Sequence, residues 1–253
     1  MPAMMRLILC AMFIATLGAC RSEPGMQMPT ADTGDYVNVR PTAIHAISTR
    51  ELVVAGYVQH SDGSPEGLVL MSGDGGSAWR RLAFEHVKLA RTRLDCASFA
   101  DRLRGWVAGV RVDAKGLTEA IVLRTEDGGS HWRHSIVPVK GESIVITGIQ
   151  ALRRDTDSDG VVTLTCVDPN SGEARESAFK STDGGMSWKG LTWMQPCAAP
   201  ITDFSTSSLG AGQAWRLRGA ADGLSTFVEI TANDGQSWLP VSEISLGALS
   251  SYD

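Results

Sequence analysis

Aromatic side chains are scarce in this chain: seven Trp, six Phe and three Tyr make up 6% of its 253 residues. Basic residues are not in excess either. The 23 Lys and Arg stand against 28 Asp and Glu, a net charge of −5, which excludes a general grip on nucleic-acid phosphates. There is no Gly-x-Ser-x-Gly elbow, no Gly-rich phosphate loop and no dinucleotide fingerprint. Five cysteines are too few for a disulfide-stapled scaffold. Beyond residue 17 no apolar run approaches the about 20 residues that a membrane-crossing helix needs. At 43% hydrophobic and 20% charged, the chain has the material for a packed core and is not a disordered acidic tail.

What is present begins with an address. Arg6 precedes an apolar run, Leu7 to Leu17, too short for a bilayer span but suited to the core of a signal peptide. The run ends in Leu17-Gly18-Ala19-Cys20, which resembles a bacterial lipobox and implies lipid on Cys20 after removal of residues 1–19. Arg21 stands where an aspartate would resemble an inner-membrane retention signal. The expectation is therefore a periplasm-facing lipoprotein of the outer membrane. Residues 20–35, with two prolines and no apolar periodicity, read as the lipidated cysteine and a tether, and 36–253 as one folded domain. With Cys10 removed and Cys20 lipidated, Cys96, Cys166 and Cys197 remain. They allow one disulfide, Cys166–Cys197 being nearest in sequence, or three buried thiols.

An octapeptide recurs four times. It runs Ser72 to Trp79, Thr125 to Trp132, Ser181 to Trp188 and, in degenerate form, Thr231 to Trp238, with successive tryptophans 53, 56 and 50 residues apart. Glycines accept positive φ, and Asp74, Asp127, Asp183 and Asn233 offer an oxygen to backbone N–H groups left over in a tight turn. The tryptophan then covers the turn with apolar surface. Short β-prone runs flank each copy, among them Gly67–Met71, Ala120–Leu123, Val53–Tyr57, Gly105–Val110 and Val161–Thr165. Each unit of about 50 residues holds about four strands, the size of a propeller blade.

These residues resemble the Asp-box, or BNR, repeat S/T-x-D-G-G-x-x-W over roughly residues 40–245. Phe99 with Gly105-Trp106-Val107-Ala108-Gly109 also resembles the blades of photosystem II assembly factors, and the boxes occur in sialidase-like propellers. The resemblance implies an all-β fold, a β-propeller of four four-stranded blades (or five with one lacking a box), the box forming the hairpin between the two outer strands. Tyr36–Arg40 is expected to pair with the last blade and close the ring. Trp79, Trp132, Trp188 and Trp238 are expected to act as structural staples.

Three features are candidates for chemistry. From Arg80 to Arg104 seven basic residues face three acidic ones. Arg80, Arg81, Lys88, Arg91 and Arg93 make a candidate docking surface, Arg91 and Arg93 sharing a face if that segment is extended; the alternative is a solvated face with its charges split. Asp155, Asp157 and Asp159 precede Gly160 in the alternation of a calcium loop. The twelfth position is Cys166 rather than an acid, so a solvated hairpin tip competes with calcium, and no other cofactor is expected. His131 and His134 are three apart on a strand, hence on opposite faces, and do not make a zinc pair.

The expectation for function is a non-enzymatic, lipid-anchored binding protein that presents its propeller to an envelope protein partner as an accessory or assembly factor. The alternative is an inhibitor or immunity lipoprotein blocking a toxic envelope hydrolase. Carbohydrate binding or glycosidase activity comes last, because a sialidase-like site needs an arginine triad and a tyrosine nucleophile, and the Arg-Ile/Leu-Pro signature of that family is missing.

Overall fold

The computed structural model describes residues 35–139, 145–154, 159–168, 170–196 and 206–249. Blade 1 consists of β1 (Tyr36–Ala46), β2 (Leu52–His60), β3 (Pro65–Ser72) and β4 (Arg80–Arg81). Blade 2 is β5 (Thr92–Phe99), β6 (Gly105–Val112), β7 (Thr118–Thr125) and β8 (Arg133–Val137). Blade 3 is β9 (Val145–Arg154), β10 (Gly160–Val167), β11 (Ala174–Ser181) and β12 (Lys189–Pro196). Blade 4 is β13 (Thr206–Gly210), β14 (Gln213–Gly219), β15 (Thr226–Thr231) and β16 (Leu239–Ile244), followed by the short helix α1 (Leu246–Leu249).

Each blade is an antiparallel meander whose strands pair in chain order. The all-β, four-bladed propeller expected from the repeats is thus what the chain forms, and no fifth sheet occurs among the described residues. One expectation is corrected. The segment from Tyr36 does not close the last blade but forms the first strand of blade 1, paired with β2 from Tyr36 opposite His60 to Ala46 opposite Leu52. The tight turn that joins them, where Ile47 N–H donates to the Glu51 carbonyl, makes local pairing the cheaper loop closure.

The middle strands are buried on both faces, which is why β2 and β6 read as nearly continuous apolar runs rather than alternating ones. One cluster joins blade 4 to blade 1, with Trp215, Leu217 and Val228 against Leu52, Val54, Leu70 and Trp79. A second joins blade 1 to blade 2 through Val53, Ala55, Val69 and Leu82 against Val107, Leu123 and Trp132. A third sets Trp106, Ala108 and Val122 of blade 2 against Val162, Leu164, Phe179 and Trp188 of blade 3. Among the described residues no such cluster joins blade 3 to blade 4.

The repeated octapeptide forms the hairpin before the last strand of every blade, with one bonding pattern four times over. The Ser72 hydroxyl donates to Asp74 Oδ1 (2.8 Å) and accepts from Gly76 N–H (2.9 Å), while Asp74 Oδ1 also accepts from Ala78 N–H (2.9 Å). Thr125, Asp127, Gly129 and His131 repeat this, as do Ser181, Asp183, Gly185 and Ser187. In the degenerate copy Thr231 donates to Asn233 Oδ1 (2.8 Å), which accepts from Ser237 N–H (3.0 Å); an amide oxygen does the work of the carboxylate. Asp234 takes the left-handed conformation, φ 55°, where the other three copies have glycine.

The hairpins of blades 1 to 3 are seated on the preceding blade. Trp79 Nε1 donates to Ser242 Oγ of blade 4 (3.1 Å), and Trp188 Nε1 donates to Ser135 Oγ of blade 2 (3.0 Å). Trp132 lies in the cluster shared with blade 1 and stacks on Phe84, their ring centres 5.0 Å apart. The second box glycine is held equally closely: a Cβ there would lie 2.5 Å from Leu82 at Gly129 and 3.2 Å from Trp106 at Gly185. The fourth copy differs. The nearest neighbours of Gly235 are atoms of its own Trp238, and Trp238 is only half-buried. Trp188→Ala should therefore cost on the order of 3–5 kcal/mol and Trp238→Ala markedly less, a contrast that urea denaturation of the two variants measures directly.

Candidate functional site

Aligning the blades by register isolates the site. Two residues before each boxed Ser or Thr stand Leu70, Leu123, Phe179 and Glu229, opposite Val54, Val107, Val162 and Arg216 on the neighbouring strand. Four residues before stand Leu68, Ile121, Ser177 and Phe227, opposite Gly56, Gly109, Leu164 and Arg218. In blades 1 to 3 this face packs on the preceding blade. In blade 4 it carries two arginines and a glutamate instead.

Those charges form a closed triad. Arg216 Nε donates to Glu229 Oε2 (2.8 Å) and Arg218 Nε to Glu229 Oε1 (2.7 Å), so both carboxylate oxygens are engaged. Glu229 is only 4% exposed, whereas the two arginine side chains are 31% and 42% exposed. Burial pushes the Glu229 carboxyl up, but bonding to Arg218 and Arg216 outweighs it and holds the group below the ordinary Glu range. The guanidinium of Arg216 lies 4.3 Å above the Trp238 ring and that of Arg218 lies 4.8 Å above Phe227. The result is a half-buried indole with the Arg216 guanidinium over its ring and the Arg218 N–H donors nearby.

The candidate docking residues do not assemble as expected. Arg91 has a left-handed backbone, φ 56°, one residue before β5, and donates to the Asp113 carbonyl, so it does not share an extended strand face with Arg93. Arg93 is bound to Asp95 (2.7 Å) and donates to the Thr147 carbonyl of blade 3 (2.5 Å), an inter-blade tie rather than a free cation. Asp95 raises its pKa further. Arg81 pairs with Glu66, which also receives His60. Arg80 and Lys88 are exposed.

Of the calcium candidates, Asp155 and Asp157 lie outside the described residues, and Asp159 pairs with Lys180 (3.8 Å). Among the described residues no group of three or more His, Cys, Asp or Glu is arranged to hold a metal. His131 Nδ1 bonds Asp127 Oδ2 within its own hairpin. Cys166 is a buried free thiol, pushed up to about 11 by desolvation; Cys197, its nearest candidate partner in sequence, lies outside the described residues. Burial likewise pushes the Cys96 thiol up to about 12, which leaves it inert at neutral pH. The sequence reading passed over Arg216, Arg218 and Glu229, although comparing the residues two before each box would have exposed a glutamate where Leu, Leu and Phe stand.

No protein-family model and no curated protein matches the chain. Among solved structures it is similar to an α-L-arabinofuranosidase of Fusarium graminearum, with 11% identity over 82% of this chain and 71% of that one and a TM-score of 0.43. An α-L-arabinanase of Penicillium chrysogenum has 10% identity over 81% and 71%, TM-score 0.43. A fucose lectin of Aleuria aurantia has 14% over 84% and 66%, TM-score 0.39. These neighbours correct the expectation of a non-enzymatic protein-binding scaffold or immunity lipoprotein. They are glycoside hydrolases and a lectin, against an expectation that set carbohydrate last and excluded an enzyme. At 10–14% identity their substrates remain their own.

The triad's pH behaviour is testable. Because the folded pKa of Glu229 lies below its unfolded value, its stabilisation is present above the ordinary Glu range, near 4.5, and is lost as pH falls through the folded value. Glu229→Gln should cost roughly 1–3 kcal/mol at pH 7, and the gap to the unaltered protein should close in acid. Urea midpoints from pH 7 down to pH 2 give the answer; a gap independent of pH would contradict the assignment.

Proposed function

We propose that this protein recognises carbohydrate on the Trp238 face of blade 4. The observation that carries the reading is a half-buried tryptophan beside an arginine–glutamate–arginine triad, in which Glu229 and Arg216 stand where the other three blades bury apolar side chains. A sugar ring presents both chemistries at once: C–H surface that packs on an indole, and oxygens that accept from guanidinium N–H groups. Burying an ion triad is seldom the most stable solution for an interior face, so its presence favours a binding role over a packing one. A glycan array, followed by calorimetry on the strongest glycan, tests this. Trp238→Ala should lower affinity roughly tenfold or more while circular dichroism stays unchanged, and undiminished binding would overturn the reading.

We also infer that the chain is an Asp-box propeller held in a bacterial envelope by lipid on Cys20, residues 20–35 serving as the tether. Leu17-Gly18-Ala19-Cys20 supports the anchor, and four hairpins with one bonding pattern support the repeat class. Cells fed an alkyne-bearing fatty acid should label the protein, and Cys20→Ala should abolish the label.

A further inference from the structure

We infer that the blade 4 face selects carbohydrates bearing a carboxylate. This rests on the reading of the face as a glycan site and adds the ligand's charge.

The argument is a count of unspent hydrogen-bonding capacity. A guanidinium has five N–H donors and no acceptor, and an ionised carboxylate is acceptor only. Glu229 is the only acidic side chain within the triad. Both its oxygens already receive Arg216 and Arg218, and at 4% exposure it has no surface left to offer a ligand hydroxyl. Arg218 commits its Nε to Glu229, and its two terminal nitrogens belong to a side chain 42% exposed. Arg216 commits its Nε and Nη2 to the same carboxylate, and its Nη1 is not among the triad's bonds. What the face offers is therefore donors on a triad of net charge +1, beside an apolar indole.

A neutral sugar, whose hydroxyls both donate and accept, would find half of its capacity unmet there. A sugar carboxylate meets the Arg218 fork in the bidentate geometry that makes such pairs strong. Phe227 beneath Arg218 and Glu229 beside it fix the fork, so little side-chain freedom is lost on binding. Among the described residues of blade 4, Glu243 on β16, the register partner of Phe227, lies at the outer end of the row and is exposed. It lies across Phe227 from Arg218 and would repel an acidic ligand weakly through solvent.

The test uses the mature protein and paired probes: oligogalacturonate, oligoglucuronate and sialyllactose, each beside its own carboxyl-reduced form, measured by calorimetry at low and moderate salt. At least one acidic glycan should bind about tenfold more tightly than its reduced partner. Arg218→Gln should collapse that difference to within about twofold, and Glu243→Gln should tighten the acidic glycan alone. Trp238→Ala should weaken both forms. Equal binding of acidic and reduced forms would overturn the charge inference and leave the glycan reading standing. Binding of no glycan, acidic or neutral, on this panel or on the array would overturn both. Acid-selective binding indifferent to Arg218→Gln, with the variant's circular dichroism unchanged, would place the selectivity elsewhere and overturn the inference as well.

Discussion

The architecture depends on one hydroxyl per blade. The side chains of Ser72, Thr125, Ser181 and Thr231 each donate to the Asp or Asn oxygen two residues on and accept the amide two residues beyond that. This double bond of donor and acceptor folds the loop back on itself and delivers the tryptophan to the blade's face at a fixed place. Acid side chains in these turns are held down by the same bonds: backbone and hydroxyl donors keep Asp127 and Asp183 at about 2. The hairpins are thus built for the ionised form across the physiological range. That Asn233 Oδ1 makes the same two bonds shows that an acceptor oxygen, without the charge, can close the turn.

From that local constraint the order of the molecule follows by nearest neighbours. Each boxed tryptophan of blades 1 to 3 closes a junction with the blade before it, and each junction is an apolar cluster of its own. Polar ties reinforce the same seams: Thr42 donates to the Leu94 carbonyl between blades 1 and 2, and Ser135 donates to the Gly185 carbonyl between blades 2 and 3. Blade 4 keeps the hairpin but not the apolar face that the hairpin serves elsewhere. Its tryptophan is delivered to a surface where Leu, Phe and Val have become Glu and Arg, so the element that seals three junctions becomes, in the fourth, a half-buried indole under the Arg216 guanidinium.

Much of this was legible in the sequence. The spacing of four tryptophans gave the blade count, and the glycine and aspartate positions gave the hairpin, because turn chemistry is local and leaves its mark residue by residue. Two expectations failed for reasons of range. Arg91 and Arg93 look like one patch along the chain, but a left-handed residue at the entry to β5 turns one aside and Asp95 captures the other. Tyr36 to Arg40 looks like a spare strand, but a five-residue turn hands it to β2 before any distant blade can compete. The Arg216–Glu229–Arg218 triad went unseen for a different reason: singly, an arginine or glutamate on a strand reads as a solvated face, and only register against the other blades shows that this face is the one the others bury.

The energetics of that substitution argue that it is not incidental. Replacing a buried ion pair by well-packed apolar residues is often neutral or stabilising, and the other three blades display the apolar solution with the same hairpin and the same strand register. A chain selected for ring stability alone would carry Leu or Phe at 229 and Val at 216, as at 70, 123 and 179 and at 54, 107 and 162. Blade 4 instead holds a carboxylate at 4% exposure whose both oxygens serve only to orient two guanidiniums. A residue buried to aim its neighbours outward has its use at the surface they face. On the proposed reading, the stability given up on this face is what keeps two oriented guanidiniums, 31% and 42% exposed, within reach of a ligand.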